Sequence, residues 1–250
     1  MRKYYNLVIK KPNGDAMIDY YEEVLLLRKK VEKYETLLTG ITEMTTFDFG
    51  NGLVPAHQHP NGGGWVADTA AVSKTAYVGP DAWVYGDAKV SGDAVVSGNA
   101  RVYDNAWVSG DAMVFEDAKV SGDAVVSGDA KVFRNAQVSG DARVYGNAWV
   151  SGNAVVDGDA EVDGDAWVYD NARVFGNAVV DGDAVVYGDA VVSDNARVYG
   201  NARVSGNAWV FGDAEVFGNA RVYDDAWVYD DARVSGNARV SGNARVYDNA

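Results

Sequence analysis

Apolar and polar positions alternate with a period of six residues over three quarters of the chain. Valine occupies every sixth position from Val66 to Val246, 31 times in succession. Alanine stands two positions before each of these valines from Ala70 onward, and Gly64 is the exception at the start. The unit reads A-x-V-x-(G/D)-(D/N). Exact repetition on this scale predicts a solenoid.

Each six-residue unit is expected to form a very short strand followed by a corner. Alanine and valine two residues apart point to one side of an extended segment, whereas the residues that flank the valine point to the other side. The two positions that follow are mostly Gly-Asp, Gly-Asn or Asp-Asn, which tolerate the positive φ of a tight turn. One valine and one alanine are too thin a core for a free hairpin, so successive coils must stack valine on valine.

These units resemble the hexapeptide repeats of the left-handed parallel β-helix family, in which a small residue also precedes the aliphatic residue by two positions. The resemblance covers residues 64–250. It implies an all-β solenoid, a triangular prism with three hexads in each of about ten coils. The stretches HPNGGGWVADTAAV and TAYVGPDAWVYGDA also resemble hexapeptide-repeat proteins encoded by phages and prophages, which implies an association with phage.

The residues before the repeat predict a different structure. YYNLVIKK at 4–11 predicts a strand, and an α-helix is expected from Asp15 to Gly40. Its apolar residues follow the spacing of a coiled coil about three heptads long, with the alternative of an amphipathic helix packed on the base of the solenoid. The proposed oligomerisation residues are Met17, Tyr20, Val24, Leu27, Val31, Tyr34 and Leu38.

The heptads do not fix the number of chains, but the family resemblance implies a homotrimer. The expected domains are a strand plus a coiled-coil helix at 1–45, a linker at 46–64, and the β-helix at 65–250.

The acidic charge belongs to the repeat. Residues 1–65 hold equal numbers of acidic and basic residues, so the repeat carries the whole net charge of −14. Such a surface repels nucleic acid, and we expect no direct nucleic-acid binding. An acidic mimic of DNA that inhibits a DNA-binding protein stays an alternative. There is no cysteine and no apolar run of membrane-spanning length, so we expect no membrane contact and a location in the host cytoplasm, or in the virion if the protein is a phage component.

We do not expect an enzyme. Acyltransferases that the repeat resembles have a catalytic histidine on a coil and loops that interrupt the prism, and related carbonic anhydrases use three separated histidines. In this chain no histidine follows His59, and no hexad is interrupted. Without a general base or an irregular loop, no residue is expected to be catalytic. The sequence favours a non-enzymatic, elongated structural or adhesive module.

Positions three hexads apart should stack on one face, which turns outward residues into columns. Arg203, Arg221 and Arg239 would then lie about 5 Å apart, an arrangement that favours an anion between them. One hypothesis is therefore a small anionic, nucleotide-like ligand held between subunits. The alternative is neutralisation by corner aspartates, such as Asp224 and Asp225.

All seven tryptophans lie in residues 65–227, at positions that should face outward. Exposed aromatic columns are typical of contact surfaces. They predict either packing of one solenoid on another or stacking on the sugar rings of a glycan. Trp209 and Trp227 are the tryptophans that we assign to ligand binding, together with the three arginines.

His57 and His59 alternate in the predicted linker, so both imidazoles could face one symmetry axis. Three chains would supply six nitrogens, which suits an octahedral iron or nickel ion. The pair resembles the His-x-His iron sites of trimeric phage fibres. The alternative is two exposed linker histidines, and no other cofactor is expected.

Overall fold

The computed structural model describes residues 24–34 and 45–248. The chain divides into two compact units, Met1–Met44 and Thr45–Ala250. In the first unit the described residues form one α-helix, 24–34, inside the helix that the heptads predict. The strand predicted at 4–11 and the remainder of that helix lie outside the described residues. No helix within the described ranges is long and apolar enough to cross a bilayer.

The second unit is a parallel β-solenoid with three faces. Its first face is a sheet of 13 strands, namely Thr46–Asp48, Leu53–Gln58, Trp65–Ala67, Trp83–Val84, Arg101–Val102, Lys119–Val120, Gln137–Val138, Val155–Val156, Arg173–Val174, Val191–Val192, Trp209–Val210, Trp227–Val228 and Arg245–Val246.

The second and third faces are sheets of ten strands each, all parallel. The second face consists of Ala71–Val72, Lys89–Val90, Trp107–Val108, Val125–Val126, Arg143–Val144, Glu161–Val162, Val179–Val180, Arg197–Val198, Glu215–Val216 and Arg233–Val234. The third face consists of Tyr77–Val78, Val95–Val96, Met113–Val114, Lys131–Val132, Trp149–Val150, Trp167–Val168, Val185–Val186, Arg203–Val204, Arg221–Val222 and Arg239–Val240.

Neighbouring strands on a face belong to every third hexad, which confirms three hexads per coil. Val150 pairs with Val168, for example, and Trp149 pairs with Trp167. The backbone N–H of Trp149 donates to the carbonyl oxygen of Ala166 in the next coil at 2.9 Å, and this pattern recurs along every face. The predicted solenoid of about ten coils is therefore confirmed.

The interior consists of the repeat's valines and alanines. Nearly all of them between Ala76 and Ala232 have no exposed surface, and they form one continuous core. The tryptophans lie outside this core, and four of them (Trp107, Trp167, Trp209 and Trp227) have 37–48% of their surface exposed. The predicted partition of valine inside and aromatic rings outside is confirmed.

The corners are held by backbone conformation and by side-chain ladders. The first corner residue has a positive φ, as at Gly164 (69°) and Asp170 (62°), which explains the preference for glycine and aspartate. The second corner residue is asparagine or aspartate, and each bonded asparagine donates from Nδ2 to Oδ1 of the residue one coil later. The longest ladder runs along one corner through Asn135, Asn153, Asn171 and Asp189, with 3.0 Å at each step.

Residues 46–64, expected to be a linker, contain two antiparallel strands instead. Thr46–Asp48 pairs with Leu53–Gln58, which pairs with Trp65–Ala67 and so extends the first face. The loop that follows covers the start of the third face, because Val78 donates to the Asn61 carbonyl and Gly64 donates to the Val78 carbonyl. The segment terminates the solenoid, since the exposed N–H and C=O groups of the first coil need partners.

The hairpin also covers outward aromatic rings. Phe47 stacks on Trp65 with ring centroids 4.4 Å apart, and Phe49 stacks on Tyr85 at 4.9 Å. Phe49, Ala56 and Ala67 are buried in this second, smaller core. Trp65 and Trp83, the first two tryptophans of the first face, are therefore packed against aromatic rings of the hairpin.

Candidate ligand-binding site

Three arginines form a column on the third face. Arg203 pairs with Arg221, and Arg221 pairs with Arg239, so one guanidinium occupies each of three successive coils. All three residues are exposed. The repeat produces this column because the position before each valine faces outward and returns to the same face once in every coil.

Among the described residues, the corner aspartates form no salt bridge with these arginines. Within residues 24–34 and 45–248, none of the three arginines has a carboxylate within 4.0 Å, and the salt bridges are His57–Asp68 and Arg233–Glu215. Asp224 Oδ2 accepts a hydrogen bond from the Gly242 N–H at 3.2 Å. Asp225 Oδ1 accepts from Asn207 Nδ2 at 2.9 Å. The corner carboxylates thus bond along their corners rather than across to the faces.

Most other cations of the faces lie over aromatic rings. Arg101 is 4.3 Å from the ring centroid of Trp83, and Arg245 is 5.0 Å from that of Trp227. Arg233 lies near Phe217 and also donates to Glu215 at 2.7 Å. Within the described part of the chain, the three stacked arginines have neither kind of partner, and Arg143 on the second face shares this property. Their charge is available to an external anion.

The column lines an open groove of about 270 Å³, which we call the arginine groove. Its lining residues are Tyr187, Arg203, Ser205, Gly206, Arg221, Tyr223, Asp224 and Arg239. Ser205 forms the floor with 9% of its surface exposed. Groups that donate hydrogen bonds predominate, since three guanidiniums, two phenols and one hydroxyl face a single carboxylate.

The positive charge of the groove acts on a neighbouring ring. Burial raises the pKa of Tyr169 above its ordinary value of 10.0, Tyr187 and Asp170 raise it further, and Arg203 opposes the shift. Tyr169 stacks on Tyr187 with ring centroids 5.1 Å apart. The column of tyrosines therefore runs beside the column of arginines on the same face.

The residues assigned from the sequence to one ligand site lie on two faces. Trp209 and Trp227 are on the first face, where their rings stack at 5.8 Å, and the arginines are on the third face. Tyr187, Ser205 and Tyr223 also line the groove, but they were not among the ligand-binding residues assigned from the sequence. Their signal is present in the sequence, because the residues after valine on the third face read Tyr169, Tyr187, Ser205, Tyr223 in successive coils.

A second set of aromatic residues surrounds the two tryptophans. Phe211 stacks on Tyr229 at 5.1 Å, and Tyr229 stacks on Tyr247 at 5.4 Å. Phe211 also meets Trp227 edge-to-face at 6.0 Å. We define the aromatic surface as Trp209, Phe211, Trp227, Tyr229 and Tyr247. It is a partly exposed apolar surface on the first face.

The two histidines have different surroundings. His57 is exposed, and its Nδ1 lies 2.8 Å from Asp68 Oδ1. His59 is 3% exposed, its Nε2 lies 3.1 Å from the Ser73 carbonyl oxygen, and its Nδ1 contacts Asn61. A metal at both residues would require His59 to exchange its bond to the Ser73 carbonyl. No group of three or more His, Cys, Asp or Glu suited to a metal occurs in the described ranges.

Four of the seven proposed oligomerisation residues are described. Val24, Leu27, Val31 and Tyr34 lie on the helix 24–34, and the last three have 53–62% of their surface exposed. Met17, Tyr20 and Leu38 lie outside the described residues. The coiled coil stays a prediction.

Comparison with known proteins agrees with this architecture. The chain is a hexapeptide β-solenoid repeat protein. The family described as YdcK Beta solenoid repeat matches residues 96–110, 136–152, 166–182, 196–212, 214–230, 226–241 and 238–250. These segments lie within the three-faced solenoid.

Among solved structures, the chain is similar to a UDP-N-acetylglucosamine acyltransferase from Campylobacter jejuni. The identity is 19%, the TM-score is 0.37, and the alignment covers 58% of this chain and 67% of the acyltransferase chain. No curated protein sequence matches the chain.

Proposed function

We propose that the chain is a non-enzymatic, oligomeric structural and adhesive module, associated with phage, whose solenoid presents aromatic columns to another surface. The observation that carries this proposal is the aromatic surface. Trp209 and Trp227 stack on an uninterrupted prism with 41% and 37% of their surfaces exposed. Stacked, partly exposed tryptophans offer flat apolar area that is rigidly held by the strands beneath.

Phage association is supported by the resemblance of HPNGGGWVADTAAV and its continuation to phage-encoded repeat proteins. Self-association is supported by the exposed apolar residues of helix 24–34, which need a partner to be buried. The number of three chains rests on the family resemblance. The non-enzymatic assignment is supported by the uninterrupted hexads and by the absence of histidine after His59. Each hexad of the solenoid is a structural copy of the next, so no loop isolates a reaction centre from water.

The test compares the double substitution of Trp209 and Trp227 by alanine with Trp107→Ala. Trp107 is a matched control, because it is 48% exposed on the second face and has no stacked ring among the described residues. Binding to an array of glycans and the mass in solution by light scattering are measured for both. We expect the double variant to lose glycan binding or to fall to a lower mass, whereas the control does neither. Equal behaviour of the two variants would refute the assignment of the aromatic surface.

A second function is favoured by the arginine groove, namely binding of a small anionic ligand. Three stacked guanidiniums without an acidic partner in the described structure repel one another, and an anion between them removes that repulsion. Inorganic pyrophosphate is the simplest probe. A rise in melting temperature with pyrophosphate that is lost in Arg221→Gln, but kept in Arg143→Gln, supports this function.

A further inference from the structure

Single serines interrupt the aromatic columns of the solenoid at three places. Three serines are buried among the described residues, namely Ser151, Ser193 and Ser205. Each stands between two aromatic residues of its own column, one coil before and one coil after. A serine at such a position leaves out one ring from a stack that the neighbouring coils would otherwise continue.

The missing ring has a defined size. Consecutive rings in these columns stack with centroids about one strand spacing apart, as at Tyr169–Tyr187 (5.1 Å, 6° between planes) and Phe115–Phe133 (4.9 Å, 2°). Tyr187 and Tyr223 are two coils apart, so their rings are separated by roughly 10 Å. A planar ring placed between them would lie about 5 Å from each, in the geometry of the other stacks.

The three gaps differ in what stands beside them. Ser151 lies beside Trp149 and Trp167, and Ser193 lies beside Val191 and Trp209. Ser205 lies beside Arg203 and Arg221 instead, and this gap opens into the arginine groove. In the same coil and the next, apolar side chains therefore stand beside the first two gaps, whereas guanidiniums stand beside the third. In the preceding coil the corresponding neighbours are Lys131, Arg173 and Val185, respectively.

We propose that the Ser205 gap binds a flat aromatic ring that carries an anionic group, as in a nucleotide. The ring stacks between Tyr187 and Tyr223, and the anion bonds to the guanidiniums of Arg203, Arg221 and Arg239. Three arginines at one-coil spacing cover roughly 10 Å, which suits a diphosphate better than a single phosphate. This inference rests on the anion-binding function proposed above, to which it adds the aromatic part of the ligand.

The stacking half and the anion half can be tested separately on the full chain. The affinities for adenosine diphosphate, adenosine and pyrophosphate are measured by isothermal titration calorimetry. We expect adenosine diphosphate to bind at least about tenfold more tightly than either fragment, because stacking and charge-assisted hydrogen bonds both contribute.

Ser205→Tyr fills the gap with the residue that the column uses on either side. It should weaken adenosine diphosphate binding by about tenfold or more while leaving pyrophosphate binding within about twofold. Ser97→Tyr is the matched control, since it adds the same ring to the same column next to Phe115, away from the groove. Arg221→Gln should weaken both ligands, and Arg143→Gln, on the second face, should weaken neither. Circular dichroism melting shows whether each variant is folded.

The outcomes separate the two proposals. Equal affinity for pyrophosphate and adenosine diphosphate, with no effect of Ser205→Tyr, overturns the stacking inference and leaves a site for anions alone. Absence of binding of any probe at millimolar concentration overturns both. Binding that neither Ser205→Tyr nor Arg221→Gln changes places the ligand elsewhere and also overturns both.

Discussion

Asn135 and Asn153 occupy the same corner of the solenoid one coil apart, and Nδ2 of Asn135 donates a hydrogen bond to Oδ1 of Asn153 at 3.0 Å. Asn153 donates in turn to Asn171, and Asn171 donates to Asp189. Each asparagine inside this ladder is both acceptor and donor, whereas the aspartate at its end needs only to accept. The choice between Asn and Asp in the repeat thus has a structural consequence.

Asn153→Asp should therefore destabilise the solenoid. A carboxylate still accepts from Asn135 but cannot donate to Asn171, so one bond is lost and two oxygens face each other. We expect a loss of about 0.5–1.5 kcal/mol in the free energy of unfolding, measured by urea denaturation. Asp189→Asn is the control, because an amide keeps the acceptor that Asn171 needs. Equal losses in the two variants would show that the ladder does not contribute.

The adjacent residues Val155 and Val156 test the partition between inside and outside. Val156 is fully buried, whereas Val155 is partly exposed on the first face. Val156→Ala removes buried methyl groups and leaves a cavity, and we expect a loss of about 2–3 kcal/mol in stability. Val155→Ala should cost less than about 1 kcal/mol. Thermal and urea unfolding of both variants measure these losses. A larger loss at Val155 would contradict the assignment of the Val156 side chain to the interior and the Val155 side chain to the outside.

Gly62 and Gly63 test the terminating loop. Both have positive φ, 117° and 80°. A Cβ at Gly62 would lie 2.2 Å from the carbonyl oxygen of Val78, whereas a Cβ at Gly63 would meet nothing within 4 Å. Gly62→Ala should therefore cost about 2–4 kcal/mol, and Gly63→Ala should show only the smaller backbone cost. Differential scanning calorimetry compares them; equal melting temperatures would mean that the loop does not pack on the third face.

The raised pKa of Tyr85 leads us to expect that the folded chain loses stability in alkaline solution. Burial raises its pKa above the ordinary value of 10.0, Tyr103 and Asp104 raise it further, and Arg101 opposes the shift. The unfolded chain then releases the phenolic proton at lower pH than the folded chain. The stabilisation is fully present below about pH 10 and is lost as the pH rises through the folded-state pKa.

Tyr85→Phe keeps the ring and removes the titrating group. Between about pH 9 and about pH 11, this variant should lose less of its free energy of unfolding than the unchanged chain, as measured by urea denaturation at each pH. Absorbance at alkaline pH follows tyrosine ionisation directly. An identical pH dependence in both proteins would show that Tyr85 is not shifted.

Several features of the candidate site were predictable from residue numbers alone. An interval of three hexads places Arg203, Arg221 and Arg239 in one column, and the structure pairs them in that order. The same arithmetic separates Trp209 and Trp227 from the arginines, since the valines that follow them belong to different faces. A single ligand site that included both groups was therefore not supported by the repeat itself.

The neutralisation of the arginines was not predictable. Asp224 lies in the groove, yet its carboxylate bonds to the N–H of Gly242 instead of to a guanidinium. The same bond to a glycine N–H one coil later occurs at Asp104 and Asp194, which share the positive φ of Asp224. Likewise, nothing in the local pattern of residues 46–64 distinguishes a linker from a terminating hairpin, since its pairing partners are in the first coils.

The sequence by itself determined that the hexads stack as a solenoid and on which side of its strand each residue lies, because a period of six puts every alanine and valine on one side. The number of three hexads per coil followed from the resemblance to the left-handed β-helix family. Only the tertiary structure decided which polar groups satisfy one another and where a groove remains. Those outcomes depend on side chains one coil apart competing for the same partners, and the gap at Ser205 lies in a groove that Arg203, Arg221 and Arg239 line.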